Sequence, residues 1–226
     1  EYKLPIELTE DDIIKKNFKE KYKKNSKKIH EKSKIGIMNG LWANSMGMGG
    51  IIPIETFFFP SSTFLDLKLT GLQGDVMKES MNVAKTLAWK LTDKKTKTKL
   101  LKKFEADKLQ GIHIHCPEGS VPKDGPSAGT AITVAIYSLL NNKEIKNTVA
   151  ITGEMNLQGK VTAIGGLELK ILGGIKAGIT HFIFPKENEK QYNLFLEKYK
   201  EKDIIPEETK FTSVEDINEV LKLVYV

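Results

Sequence analysis

One serine and one lysine stand out among the 226 residues for what their neighbours would let them do. Ser127 lies in Pro122-Lys123-Asp124-Gly125-Pro126-Ser127-Ala128-Gly129, at a turn of small residues that opens into an apolar helix. Lys170 lies in Gly165-Gly166-Leu167-Glu168-Leu169-Lys170, with Ile171, Leu172 and Ile175 following. A serine hydroxyl attacks a carbonyl well only when a base takes its proton. A lysine can be that base when its amine is uncharged. Desolvation brings this about, by lowering a pKa that is ordinarily ~10.4. The sequence around Lys170 is apolar enough for this, and it equally allows the side chain to snorkel to water. Gly173 and Gly174 let other backbone come close to the same helix. Asp124 is placed to cap the helix after Ser127, and Pro126 suits its first turn. The first-turn amides would then face a carbonyl under attack.

Other residues offer rival chemistry. Gly125-Pro126-Ser127-Ala128-Gly129 also fits the Gly-x-Ser-x-Gly elbow of α/β-hydrolases, esterases among them. That fold needs an acid and then a histidine after the serine, and only His181 follows. It also needs a strand running straight into the turn, where residues 117–126 form a proline-bearing loop. Cys116 stands beside His115, which reads either as a thiol–imidazole pair or as a small buried hydrophobe. His113 and His115 alternate on one strand and so share a face, as satisfied polar packing or as site residues. Glu55 interrupts an apolar strand, where a carboxylate needs a partner. That partner is structural or belongs to the surroundings of the pair.

The elements that must position these residues change character along the chain. Residues 35–42, 51–59 and 64–69 read as strands with Gly- or Ser-rich turns between them. The turn Met46-Gly47-Met48-Gly49-Gly50 is flexible enough for a tight reversal. Residues 75–91 have helical spacing, with Val76, Ser80, Val83, Leu87 and Leu91 near one face. Residues 94–103 form an outer lysine-rich helix or loop, and 111–116 a short strand. After Ser127 the residues Ile132, Ala135, Ile136, Leu139 and Leu140 repeat with a helical period, and Asn141-Asn142 ends that helix. Strands at 148–152, 160–164 and 181–184 alternate with helices at 167–177, 188–199 and 214–224. The mixture is α+β and not a doubly wound dinucleotide fold.

Composition bounds the function classes. Apolar residues make up 40% of the chain, enough for a sizeable core, and no apolar run approaches the ~18 residues of a membrane helix, so no membrane insertion is expected. The opening residues lack the apolar stretch of a secretory leader, and the absent initiator Met suggests a fragment or a processed product. A single cysteine, Cys116, excludes an internal disulfide framework and fits a reducing compartment. The net charge of +6 comes from residues 15–34, where ten lysines face two glutamates. That segment reads as a solvated linker, or alternatively as the contact of a non-enzymatic basic adaptor for nucleic acid. Phe18 and Tyr22 alone interleave the lysines, which supports base stacking poorly. No Walker A phosphate loop occurs.

Over residues 35–226 the sequence resembles the proteolytic domain of the Lon protease family, the ATP-dependent serine proteases. The resemblance is carried by His113-Ile114-His115-Cys116-Pro117-Glu118-Gly119 running into the Ser127 motif, by Thr152-Gly153-Glu154 with Gly159, and by Ile164-Gly165-Gly166-Leu167 with Lys170. Weaker support comes from Gly40-Leu41-Trp42, Ile54-Glu55-Thr56 and the stretch from Gly71 to Ser80. The resemblance implies an α+β fold of the ribosomal-S5-domain-2 type. It implies Ser127 as nucleophile and Lys170 as general base, with Thr152 orienting the lysine. It places Asp124, Glu55, His113 and His115 near the site, Asp124 as a loop or gating residue. Two departures stand out: Glu168-Leu169 where the family usually has Lys-Glu, and Cys116 where a small apolar residue is usual. By the same resemblance, residues 1–17 end the helical subdomain of an ATPase module and 18–34 are its lysine-rich linker. No cofactor is expected in this domain, with ATP and magnesium in the ATPase module. The expected partners are unfolded polypeptides and five further subunits of a homohexamer, with DNA contacted by other parts of the full-length protein. The compartment expected is the mitochondrial matrix, with bacterial cytoplasm as the alternative.

Overall fold

The computed structural model describes residues 28–117, 124–199 and 202–226. The expected ATPase remnant at 1–17 and most of the 18–34 linker lie outside the described residues, as does 118–123 of the serine loop. The chain enters by β1 (Lys34–Ile35), turns at Gly36 with φ +71°, and continues as β2 (Ile37–Ala43), β3 (Gly49–Phe59) and β4 (Leu67–Thr70). Helices α1 (Asp75–Leu91) and α2 (Lys94–Asp107) precede β5 (Gly111–His115). A 3-10 turn at Pro126–Ala128 leads into α3 (Gly129–Asn141). Four short strands, β6 (Glu144–Ile145), β7 (Val149–Ile151), β8 (Glu154–Met155) and β9 (Val161–Thr162), lead to α4 (Leu167–Ala177). The remainder is β10 (His181–Pro185), α5 (Glu189–Tyr199), β11 (Lys210–Val214) and α6 (Ile217–Leu223).

Seven of these strands form one mixed sheet in the order β11-β10-β7-β2-β3-β5-β4. The β2–β3 hairpin and the β3–β5 pair are antiparallel, and the remaining neighbours run parallel. Side chains alternate between its faces. Met38, Ile52, Ile54, Ile112 and Ile114 point into one core, shared with α1 and α3. Leu41, Ile51, Phe182 and Phe184 point into the other, shared with α4 and α5. Each fully buried aliphatic or aromatic side chain stabilises the fold by roughly 1.5–3 kcal/mol. This mixed sheet, with six helices among the described residues, is the expected α+β class.

Three differences from the sequence reading have physical causes. The buried stripe of α1 is Met77, Met81, Ala84, Leu87 and Ala88, while Val76 is 44% exposed. Small and flexible residues fill the close α1–α3 contact, so the bulkier valines mark the wrong face. Helix α3 is buried almost all round, with Thr130, Thr133 and Ser138 inside together with its isoleucines. It lies between the sheet and α1, and its hydroxyls bond within the structure, Thr133 to Gly129 O at 2.8 Å. Last, Val214 ends strand β11 and does not begin a helix; the helix starts at Ile217, capped by Asp216, whose carboxylate accepts from Asn218 N at 2.8 Å. The strand's polar alternation, Lys210-Phe211-Thr212-Ser213-Val214, suits an edge and hides its β character.

Residues 28–35 run against the domain. Ile29 N donates to Ala177 O at 3.1 Å, and β1 pairs with β6. Among the described residues no helix is long and apolar enough to cross a membrane.

Candidate active site

Three elements converge at the C-terminal end of β7. The 3-10 turn before α3 carries Ser127. The residues leaving β7, Thr152 and Gly153, run beside it. Gly153 N donates to Ser127 O at 2.8 Å, and Gly153 O accepts from Thr130 N at 3.0 Å and Thr130 Oγ1 at 2.9 Å. This strap fixes the start of α3 to the sheet. A Cβ on Gly153 would come within 2.6 Å of Val161 and 2.7 Å of Thr130 Oγ1, so only glycine passes there.

Helix α4 brings the lysine. It lies directly on the start of β3, backbone against backbone. A Cβ on Gly49 would stand 2.0 Å from Leu169 O, and one on Gly173 would stand 2.2 Å from Gly49 C. That approach is closer than any side chain permits, and it sets Lys170 at the floor of the site. Lys170 Nζ lies 3.0 Å from Ser127 Oγ and donates to Thr152 Oγ1 at 3.0 Å. Thr152 Oγ1 in turn donates to Ser127 O at 3.4 Å, a long contact. Lys170 is 3% exposed and Thr152 is fully buried. The lysine therefore points inward and does not snorkel. Burial pushes its amine down to about 8 from its ordinary 10.5. The low-dielectric surroundings disfavour the ammonium, and a substantial fraction is neutral near pH 8. A hydroxyl beside such an amine is equipped for nucleophilic attack.

A family model, the Lon protease (S16) C-terminal proteolytic domain, matches residues 7–226. The chain belongs to the Lon protease family. It is 40% identical to the Lon protease of Fusobacterium nucleatum, over 99% of this chain and 29% of that protein. It is 42% identical to a Lon protease homolog of Acanthamoeba polyphaga mimivirus, over 76% of this chain and 17% of that protein. A mitochondrial Lon protease homolog of Candida albicans is 40% identical, over 77% of this chain and 16% of that protein. The chain thus spans less than a third of the length of these curated relatives.

The remaining residues expected at the site are placed differently from one another. Asp124 borders the cavity above Ser127, yet it does not cap α3. Its Oδ1 accepts from Met77 N at 3.0 Å, so it caps the first turn of α1, where Gly74 offers no side chain. A Cβ on Gly74 would stand 2.3 Å from the Asp124 carboxyl carbon, so a larger residue there would displace the capping carboxylate. Asp124 Oδ1 also accepts from Gly125 N at 2.8 Å, in a turn where Gly125 has φ +110°. Helix α3 starts with no side-chain cap.

Glu55, His113 and His115 do not border the cavity. They share one face of the β3–β5 pair, with Glu55 opposite His115. Thr70 Oγ1 lies 2.9 Å from His113 Nε2 and 2.7 Å from His115 Nδ1. His113 is held below the usual imidazole range, first by desolvation and then by Lys68 and His115. Glu55 lies 3.9 Å from His30 Nε2. Cys116 is completely buried in the core shared with α1 and α3, the small-hydrophobe alternative of its two readings. His181 pairs with Thr212 at 2.9 Å. No group of three His, Cys, Asp or Glu among the described residues could hold a metal ion.

The cavity over Ser127 and Lys170 has a volume of about 830 Å³. Its walls include Trp42, Met46, Met48, Ile164 and Leu169, none of which the sequence reading assigned to the site. For Trp42, Met46 and Met48 the signal was available only as an apolar strand running into a glycine-rich turn.

Proposed function

We propose that this chain is the peptidase part of an ATP-dependent Lon protein, cleaving peptide bonds of unfolded polypeptides by acyl transfer at Ser127. The 3.0 Å approach of a desolvated amine to a serine hydroxyl carries the reading. The neutral Lys170 amine takes the Ser127 proton as Oγ attacks the carbonyl. The resulting ammonium passes that proton to the departing amine. Water then attacks the acyl-enzyme, with Lys170 again the base. Thr152 holds the amine through the N–H that it accepts, leaving the lone pair aimed at Ser127.

Pro126 has no N–H. Gly129 N donates to Pro126 O and Thr130 N to Gly153 O. The amides of Ser127 and Ala128 therefore supply the oxyanion donors in this mechanism, with the α3 dipole behind them. ATP and magnesium would act in the part of the longer protein that unfolds and delivers the substrate, in a ring of six subunits. The relative from Fusobacterium nucleatum and the one named as mitochondrial match at the same 40% identity, and the mitochondrial matrix is the compartment we propose.

A peptide boronate, which captures an activated serine, tests the assignment in the full-length protein. We expect one adduct, mapped to Ser127 and lost in Lys170→Met. An adduct on another residue, or none in the wild type, would overturn it.

A further inference from the structure

The cavity wall beside Lys170 is backbone that belongs to neither a strand nor a helix. Strand β9 ends at Thr162 and α4 begins at Leu167, and Ala163, Ile164, Gly165 and Gly166 between them all border the cavity. Ile164 is buried in the core shared with α4 and α5, so its peptide groups need partners there. One side chain supplies them. Ile164 N donates to Asn188 Oδ1 at 3.0 Å, and Asn188 Nδ2 donates to Ile164 O at 2.9 Å. The second proton of Nδ2 goes to Gln191 Oε1 at 2.9 Å, which leaves no donor of the amide idle. An acceptor and a donor side by side thus meet both polar groups of one residue, as the backbone of a neighbouring strand would. Next to it, Glu187 Oε2 accepts from Ala163 N at 2.8 Å.

Asn188 is 1% exposed and ends the 3-10 turn Lys186–Asn188 that precedes α5. What it holds is the entry to the lysine helix. Two residues after Ile164 the chain passes through Gly166, with φ +70°, and Gly166 O accepts from Lys170 N at 3.0 Å. Helix α4 has no side-chain cap of its own, so its start takes its place from the chain that enters it. The Gly49–Gly173 contact seats the body of α4 on β3, and the Asn188 amide fixes the segment that leads in. An ionised aspartate at 188 would lack the N–H for Ile164 O, and a leucine would lack both groups.

We propose that Asn188 is a positioning residue for Lys170: its amide clasps the Ile164 backbone, sets the first turn of the lysine helix through it, and keeps the wall beside the amine closed to water. The proposal rests on the peptidase reading of Ser127 and Lys170 and adds a residue to that machinery.

The test follows kcat against pH in the full-length protein. Lys170 and Asp124 are the ionisable side chains among the described residues that border the cavity, and of these two types only an amine ordinarily titrates above neutrality. In Asn188→Ala the wall loosens and water reaches the amine. We expect the midpoint, near 8 in the wild type, to rise by about one pH unit, and the high-pH plateau of kcat to fall about tenfold with KM changed less than about threefold. Asn39→Ala is the control. Asn39 is 4% exposed, its amide donates to Asn147 O at 2.9 Å and Val149 O at 3.1 Å, and it does not border the cavity. It should lose comparable stability in urea melts and leave the midpoint near 8. Gln191→Ala changes an exposed side chain that steadies the amide, and its midpoint should rise by a few tenths of a pH unit. An unchanged midpoint in Asn188→Ala, or in Gln191→Ala should Asn188→Ala not fold, overturns the clasp, and so does an equal rise in Asn39→Ala. Boronate capture at Ser127 in the wild type with an unchanged midpoint in the variants sinks the clasp alone, whereas no capture in the wild type sinks the peptidase reading and the clasp with it.

Discussion

Two groups of chemically capable side chains are built a few strands apart, and they differ in what surrounds them. Around Thr152, a lysine and a serine meet in a site sealed by glycine-tight backbone contacts, and the lysine is 3% exposed. Around Thr70, two histidines meet on the half-open face of β4 and β5. In both, a threonine hydroxyl lies within hydrogen-bond distance of two partners. Imidazole, whose unperturbed pKa lies near neutrality, is as a residue type the more usual base. Yet both histidines are bonded to the Thr70 hydroxyl, and none of the three borders the cavity. The lysine, by ordinary chemistry the worse base, is the one that desolvation has tuned. Burial and adjacency, more than residue type, set the two clusters apart.

The sharpest way to break that contrast is to remove the amine. Lys170→Met keeps the length and discards the ionisable end. Peptidase kcat should fall by about 10⁴-fold or more, and Ser127→Ala should match it, since the two act as one unit. Stability should move the other way. The folded-state pKa of about 8 lies below the unfolded value of 10.5. Below pH 8 both states hold the proton, and the buried ammonium costs the fold on the order of 3 kcal/mol. Between pH 8 and 10.5 the unfolded chain binds more protons, so this cost fades as pH rises. Lys170→Met should therefore be more stable than wild type at pH 7, with the gain shrinking toward pH 10. Urea melts at both pH values check it; a destabilised variant at pH 7 would mean that the amine is not held charged against its surroundings.

Much of this site was legible because its signals are local. Ser127 announces itself by the small residues around it, Lys170 by its apolar neighbours, and Gly173 by leaving room for backbone. Thr152 came only with the family resemblance, since one threonine after a short strand says nothing of what it will touch. Asp124 was assigned to the wrong helix. Its partner Met77 N is 47 positions away, and a capping preference read along the sequence favours the nearest helix start. The order of the β2–β3 turn was invisible for a related reason. Met46-Gly47-Met48 predicts a flexible reversal, and its stiffness comes from the Asn44 side chain, whose bonds depend on the turn already being formed.

A second prediction tests whether the tight packing is what seats the lysine. In Gly49→Ala the new methyl must push α4 away from β3, because the nearest atom is backbone at 2.0 Å. A displacement of about 1 Å costs about 10²-fold in rate, and overpacking costs about 1–3 kcal/mol. Gly47→Ala, with open space around its Cβ and only the strain of φ +77°, serves as control and should reduce kcat far less. Equal kcat losses in the two variants would show that β3 does not position the helix.

The comparison of the two threonines is sharpened by pH. Wild-type kcat should rise with pH through a midpoint near 8, the amine losing its proton. Thr152→Val removes the hydroxyl that accepts from Lys170 Nζ. The ammonium loses a partner that favours it, so the midpoint should move below 8, while kcat drops about tenfold as the amine loses its orientation. Thr70→Val should cost about 1–2 kcal/mol of stability, from two imidazoles left short of a partner, and leave the midpoint where it was. A midpoint shift in Thr70→Val would tie the histidines to the dyad; none in Thr152→Val would detach the threonine from it.

The smallest effect expected concerns two aspartates that do the same job in different places. Asp93 caps its own helix, accepting from Thr96 N at 2.9 Å and from Thr96 Oγ1 at 2.7 Å. Asp124 caps α1 from the far side of the serine loop. Removing either carboxylate should lower the melting temperature slightly, with about 1 kcal/mol lost for Asp124→Ala. Only Asp124→Ala should also touch catalysis, by a few-fold in kcat, because it frees the loop that sets Ser127 from the helix that anchors it. Asp124→Asn keeps an acceptor oxygen for Met77 N and should recover most of both losses. If Asn fails where the acceptor is preserved, the charge on Asp124 matters as well as the bond, and its place beside the cavity acquires an electrostatic meaning that Asp93 cannot share.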